Sequence, residues 1–462
     1  MLQRRSIVIV ALLLGGCSLA TREAADERRR MEAAGAVYES PEATPSPELP
    51  PDPGWRDVLR HAFLHNGELE AAYFAWRAAV ERIDVAAGYP NTNVSVGFEY
   101  LFSGGNLTGW DRTSLSVGFD PMQNLSFPTK VYAAGLVATE DARAAGERFA
   151  AAKFALQRKV LSAWLDYALL AERIRVQREQ VILLTVGAES AAAGVRGGRP
   201  QDELLMADVE HGHGEHMLLD LEAALPAARA RLNALIGRSA DAPLDAPALP
   251  APRPLPDDAT LLAAGTTANP ELAALARDAS GRAAALDLAR QQYFPDINPF
   301  AGLTGSMEQV AGAAITLATT IPQIQAGIRE ARANLRGSEA LARQGGLDRD
   351  AAFVAGLLAL RSTERQLALL RNHVEPSAIQ AAAAAERAYA ASSGGFPAWI
   401  TARRALLDLR LTIAETRIAR EQQVAELEML AGVDAERLAG EPTTPPTDHA
   451  HAPALASAEV IR

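Results

Sequence analysis

Apolar positions in this chain follow two periods, and the periods alternate along it. Val94, Val96, Phe98, Tyr100 and Phe102 alternate with Ser95, Gly97 and Glu99. Leu115, Val117 and Phe119 alternate likewise with Ser116, Gly118 and Asp120. A repeat of two predicts strands, about 92–103 and 112–120, with one apolar face and one small or polar face. Such faces suit a wall between lipid and an aqueous lumen. A half-buried soluble hairpin shows the same alternation, so this pair alone leaves both readings open. A weaker pair is predicted at about 297–306 and 312–321, with Pro299 weakening its first strand.

After each strand pair the period becomes a heptad. Leu156, Val160, Ala163, Tyr167, Leu170, Ile174, Val181 and Leu184 keep a 4-3 spacing, with Gln177 in the one polar slot. That is the seam of helices packed side by side with a left-handed supercoil. Residues 129–193 hold no proline and little glycine, so one helix is predicted throughout. At 1.5 Å per residue it runs roughly 100 Å. A matching long helix, about 323–391, carries Phe353, Leu357, Leu360, Leu367 and Val374, and Pro376 should kink or break it.

Each long helix ends at a Gly-Gly-x-Pro turn, Gly197-Gly198-Arg199-Pro200 and Gly394-Gly395-Phe396-Pro397. Glycine supplies the left-handed cap, and proline suits the first turn of the next helix. Return helices are predicted at about 200–237 and 397–432. Leu218, Leu221, Leu225, Ala228, Leu232 and Leu235 keep heptad spacing in the first, across Pro226. A short helix opens each half, at 55–88 and 270–293.

The two halves share landmarks in one order. Asn66-Gly67-Glu68-Leu69 matches Asn269-Pro270-Glu271-Leu272, Tyr89-Pro90 matches Phe294-Pro295, and Phe127-Pro128 matches Ile321-Pro322. The two glycine turns correspond, as do Leu235-Ile236-Gly237 and Leu430-Ala431-Gly432. A period this long predicts a duplicated domain rather than a solenoid. The halves span 55–238 and 259–438, joined by a proline-rich linker at 239–258. Residues 439–462 read as a disordered polar tail.

The first residues read as an address. Arg4 and Arg5 precede an apolar run at 7–14, too short for a bilayer span, which needs ~20 residues. Leu14-Gly15-Gly16-Cys17 resembles a bacterial lipobox, which implies a signal peptide at 1–16 and an acylated, palmitate-bearing Cys17 at the mature N-terminus. Residues 17–54 then read as a tether, extended over its proline-rich second part.

Composition narrows the function classes. Hydrophobic residues make up 48% and charged residues 22%, which excludes wholesale disorder and a polytopic helical membrane protein. The net charge is −11 and the lysines are Lys130, Lys153 and Lys159, so nucleic acid is not an expected partner. Cys17 is the single cysteine, which excludes an intrachain disulfide. The sequence holds no phosphate-binding Gly-Lys loop, His-Glu-x-x-His or nucleophile elbow, so neither an enzyme nor a cofactor is expected.

The order of lipobox, tether and twice-repeated helix, strand pair, long helix, glycine turn and return helix resembles the TolC-type outer-membrane efflux channels. The likeness covers about 55–438 and includes Gly197 with Glu203-Leu204-Leu205, and Val374-Glu375-Pro376 through Tyr389 to Gly394. It implies a mainly α fold with a transmembrane β part: a homotrimer whose four strands per protomer close a twelve-stranded barrel over a periplasmic α-barrel. It implies a Gram-negative outer membrane as location. Its implied partners are outer-membrane lipid, a periplasmic adaptor and an inner-membrane pump. It places the pore constriction at the turns, with Arg196, Arg199, Asp202 and Glu203 at the first and Tyr389, Phe396 and Trp399 at the second. Between Arg387 and Arg403 the second turn has no basic residue, which departs from a family-type gating salt bridge.

Glu210-His211-Gly212-His213-Gly214-Glu215-His216 lies early in the first return helix. His213 and His216 share one helix face, and His211 and Glu215 another. Around a threefold axis such pairs could bind zinc or copper; the plainer reading is a solvated or lumen-facing polar patch. Heavy-metal ions, drugs and other small molecules all stay open as cargo. The alternative function is a periplasmic coiled-coil structural or adaptor lipoprotein that forms no barrel.

Overall fold

A computed structural model of the chain describes residues 21–39, 49–50, 52–89, 94–102, 105, 108–119, 125–198, 201–267, 269–306, 308–317, 319–391 and 395–435. The segment 1–16 read as a signal peptide, Cys17 and the segment 439–462 read as a tail lie outside them.

The first half runs α1 (Arg22–Gly35), α2 (Trp55–His65), α3 (Gly67–Ala87), β1 (Val94–Tyr100), β2 (Thr113–Phe119), α4 (Pro128–Arg196) and α5 (Gln201–Leu235). The second runs α6 (Asp258–Thr267), α7 (Pro270–Arg290), β3 (Asp296–Thr304), β4 (Glu308–Thr316), α8 (Ile321–Leu369), α9 (Glu375–Ala390) and α10 (Phe396–Ala431).

The segment read as a tether is in part a packed helix. Thr21 caps α1 by accepting from the Ala24 amide. Ala24, Glu27, Met31 and Gly35 are buried along one stripe of it. The Trp76 indole donates to Glu27 at 2.9 Å, which lets a carboxylate sit in the core. Gly35 is required by space, since a Cβ there would lie 1.8 Å from the Tyr73 hydroxyl.

The opening helix read at 55–88 is divided at Asn66. Its side chain caps α3, accepting from the Leu69 amide at 3.0 Å, and donates to the Leu235 carbonyl at 2.9 Å. Asn269 does the same in the second half: it caps α7 at the Glu271 and Leu272 amides and donates to the Leu430 carbonyl. Each return helix then ends at a left-handed glycine, Gly237 at φ +71 and Gly432 at φ +68. One asparagine thus satisfies orphan groups of two helix ends at once.

The 69-residue α4 is the hub and packs on α3, α5, α7 and α10. Its seam residues Leu156, Val160, Ala163, Tyr167, Ile174 and Leu184 are buried, and so is Gln177. Gln177 donates to the Gly214 carbonyl of α5 at 2.9 Å. A Cβ at Gly214 would lie 2.7 Å from Leu184, so this glycine sets how closely α5 approaches. Helix α5 continues unbroken through Pro226. The second long helix is interrupted by a π turn at Leu370–Val374, where the Glu375 amide reaches back to the Leu370 carbonyl. That wider turn immediately precedes Pro376, which has no amide hydrogen to give.

The linker at 239–258 is strapped down. Tyr167 donates to the Leu244 carbonyl, Asn233 to that of Ala242 and Arg417 to that of Pro250. Arg253 from the linker is buried against Glu421 at 2.9 Å and Glu428 at 3.0 Å on α10. Burial pushes the Glu428 carboxyl above its ordinary range, against the pull of Arg253. For Arg253, burial works downward and is outweighed by Glu428 and Glu421, so its pKa ends raised.

Candidate functional site

Two parts of the fold carry the residues that the sequence singled out: the sheet and the helical tips. The sheet is antiparallel in the order β1-β2-β3-β4. Its register pairs Val96 with Val117, Phe98 with Leu115, Leu115 with Leu303 and Ala301 with Ala311. Directly paired residues share a face, so these form one continuous apolar side. Val96, Phe98, Leu115, Val117 and Ile315 on it are exposed. The other side carries Gly97, Glu99, Ser114, Ser116, Gly302 and Thr304, and the Ser114 and Thr304 hydroxyls meet at 2.7 Å. Within the protomer β1 and β4 are edge strands.

The second strand pair departs from the expected boundaries. β4 is Glu308–Thr316 rather than 312–321. Gly305, at φ +51, makes a tight connection that the sequence pattern of small residues did not mark. Pro299 sits inside β3, yet the β2 ladder begins only at Phe300, and Leu125 bridges Ile297 on the near side. The proline thus falls where that ladder has already ended. At the other end the two hairpin connections are joined, because Asp111 accepts from the Ser306 amide at 3.0 Å and from its hydroxyl. At the junction with the helices, Phe127 stacks on Phe294 with centroids 6.1 Å apart, and buried Lys130 meets Asp296 at 2.8 Å.

At the helical tips, Gly198 adopts φ +93, which explains glycine there. Tyr389 of α9 and Trp399 of α10 stack at 5.4 Å with planes 4° apart. Tyr389 also bonds the Ser190 hydroxyl of α4 at 2.8 Å. Glu210 of α5 meets Arg404 of α10 at 2.8 Å. Both hairpins are therefore joined near their tips, one by hydroxyls and one by charge. Ser190 and Arg404 are functional candidates that the sequence alone did not single out.

The other expected turn residues divide. Arg196 and Asp202 are exposed. Arg199 and Gly394 lie outside the described residues, as do the side chains of Glu203 and Phe396. Gly197 and Gly395 keep ordinary negative φ as caps.

The histidines diverge. His211 contacts the Thr185 hydroxyl at 3.0 Å and Glu215 at 3.6 Å, His216 lies 3.5 Å from Asp220, and His213 is exposed. Among the described residues, no group of three or more His, Cys, Asp or Glu side chains is placed to hold a metal ion. The metal reading therefore gains no site within the described protomer: with residues 100° apart, the helix aims His211 inward and its neighbours outward. The His61 and His65 rings lie 4.4 Å apart, tilted by 47°, with His61 Nδ1 2.9 Å from the Ile236 carbonyl. Among the described residues, no helix is long and apolar enough to cross a membrane.

No family model and no curated protein sequence matches the chain. Solved structures do. The outer-membrane protein VceC of Vibrio cholerae superposes with a TM-score of 0.68 at 16% identity, covering 83% of this chain and 97% of that one. CusC, solved in a study of folding and transmembrane channel formation, gives 0.67 at 16% identity over 83% and 92%. The open state of the MtrE outer-membrane channel of Neisseria gonorrhoeae gives 0.66 at 18% identity over 83% and 90%. The fold is that of the TolC-type outer-membrane channels.

Proposed function

We propose that the chain is the outer-membrane exit channel of a tripartite efflux pump. Three copies close a twelve-stranded barrel, and their helices continue as a hollow α-barrel in the periplasm. The observation that carries this is the two-faced sheet: its apolar side is exposed, its other side is small and polar, and its edges await pairing. Closure by further copies removes lipid-exposed edges that a lone four-stranded sheet leaves open. Exposed Leu347, Val354 and Leu358 on one side of α8 supply an apolar face for the neighbouring protomer.

The paired use of Asn66 and Asn269 supports a duplication, each half pinning its return helix to its opening helix. Acylated Cys17 anchors the N-terminus in the outer membrane. The hairpin tips meet a periplasmic adaptor coupled to an inner-membrane pump, and the Ser190–Tyr389 and Glu210–Arg404 links hold them in register. The chain supplies a conduit and no catalysis. A coiled-coil lipoprotein without a barrel would leave the apolar strand face without a partner.

Expression in a Gram-negative host tests this. Fractionation with the outer membrane, and cross-linking to a trimer, are expected. A soluble periplasmic monomer would overturn the reading.

A further inference from the structure

The strand register sorts side chains between lumen and lipid, and one residue stands against the pattern. Phe300 pairs with Gly312 on β4 and, on its other side, with Gly118 of β2. It therefore shares a face with Ser116, Gly302 and Thr304, the small and polar side. Among the described side chains on that face it is the one aromatic ring. A Cβ at Gly312 would lie 2.9 Å from the ring, so glycine there leaves the space that Phe300 covers. The ring is nevertheless 46% exposed, with no layer of the protomer above it. Val310, next along the same face of β4, is 40% exposed and extends the apolar spot. Phe300 is the central residue of the nine-residue β3, so the spot lies midway up the wall.

We propose that Phe300 is a selectivity residue of the channel. The inference rests on the channel reading above. Three copies, one per protomer, project an apolar collar, extended by Val310, into a pore whose other lining includes hydroxyls, backbone and Glu99. Apolar constrictions resist wetting and slow hydrated ions, while an aromatic face tolerates planar or apolar solutes. The collar thus favours amphipathic organic molecules over small hydrated ions at the same bore. Buried aromatic area is ordinarily spent on a core or on lipid contact, and here neither explains the ring.

Thiol scanning in planar bilayers tests this, because the chain's one native cysteine is Cys17. Phe300→Cys should lose conductance in up to three steps when a charged, water-soluble methanethiosulfonate is added. Wild type and Val96→Cys, on the opposite face, should keep theirs. Phe300→Ala should conduct more than wild type, with Phe300→Leu between them, which covers the case of a poorly folding cysteine variant. Wild-type conductance with a silent Phe300→Cys and an unchanged Phe300→Ala would overturn the collar and leave the channel standing. No conductance from folded wild-type trimers would overturn the channel reading and the collar with it.

Discussion

The hydroxyls of Ser190 and Tyr389 lie 2.8 Å apart across 199 residues of sequence, and they join the first helical hairpin to the second near the tips. Tyr389 is held for that contact by its stack on Trp399. A neutral hydrogen bond of this kind contributes about 0.5–1.5 kcal/mol, and the partly exposed Glu210–Arg404 pair about 0–1 kcal/mol. Ser190→Ala should therefore raise the open fraction by roughly tenfold or less and Arg404→Ala by roughly fivefold or less, and together by more. Single-channel open probability measures both. Equal open probability in the double variant would remove these links from gating.

Asn66 and Asn269 each close two helix ends. Asn66→Ala should destabilise the protein by about 2 kcal/mol, summing a lost cap and an unmet Leu235 carbonyl. Asn269→Ala should behave alike. Gly237→Ala should cost more, because φ is +71 and the added Cβ would lie 2.3 Å from the His65 carbonyl oxygen. Denaturant midpoints of the detergent-solubilised protein rank the three.

Burial decides which ion pairs matter. Arg253→Ala takes the cation from Glu428, which is 3% exposed, while Glu421 keeps Arg420, and should cost about 3–5 kcal/mol. Arg178→Ala breaks an exposed pair with Glu222 and should cost about 1 kcal/mol or less. Thermal unfolding of the two variants should differ clearly; similar losses would contradict the buried network.

Asp111 ties the two hairpin connections at the end of the sheet far from the helices. Donation from Ser306 and then Thr108 lowers its carboxyl from 3.8 to about 2. A depressed folded pKa means the tie is fully present above the ordinary value and is lost as pH falls through about 2. Exchange protection of the Ser306 amide should hold from neutral pH down to about 4 and decline below it. Asp111→Ala should lack that protection throughout.

Much of this architecture was legible because burial follows a fixed period. Heptads marked α4 and α8, and alternation marked β1 and β2. Alternation failed at β4, where alanine stands on both faces, at Ala311, Ala313 and Ala314, and the Gly305 turn sets the start. The docked helix α1 was hidden by its arginines, since Glu27 is held in the core by Trp76, 49 residues on. Arg253 and its glutamates lie 168 and 175 residues apart, beyond any local pattern. At the tips, Tyr389 and Trp399 stood out by type, whereas Ser190 sits in an alanine-rich run that gives it no distinction.

Conductance of purified, full-length protein in a planar bilayer tests the central claim most directly. Discrete, long-lived conductance steps carried by the trimer are the predicted result. Folded protein that inserts no conductance, and stays monomeric in solution, would contradict a barrel built from these four strands.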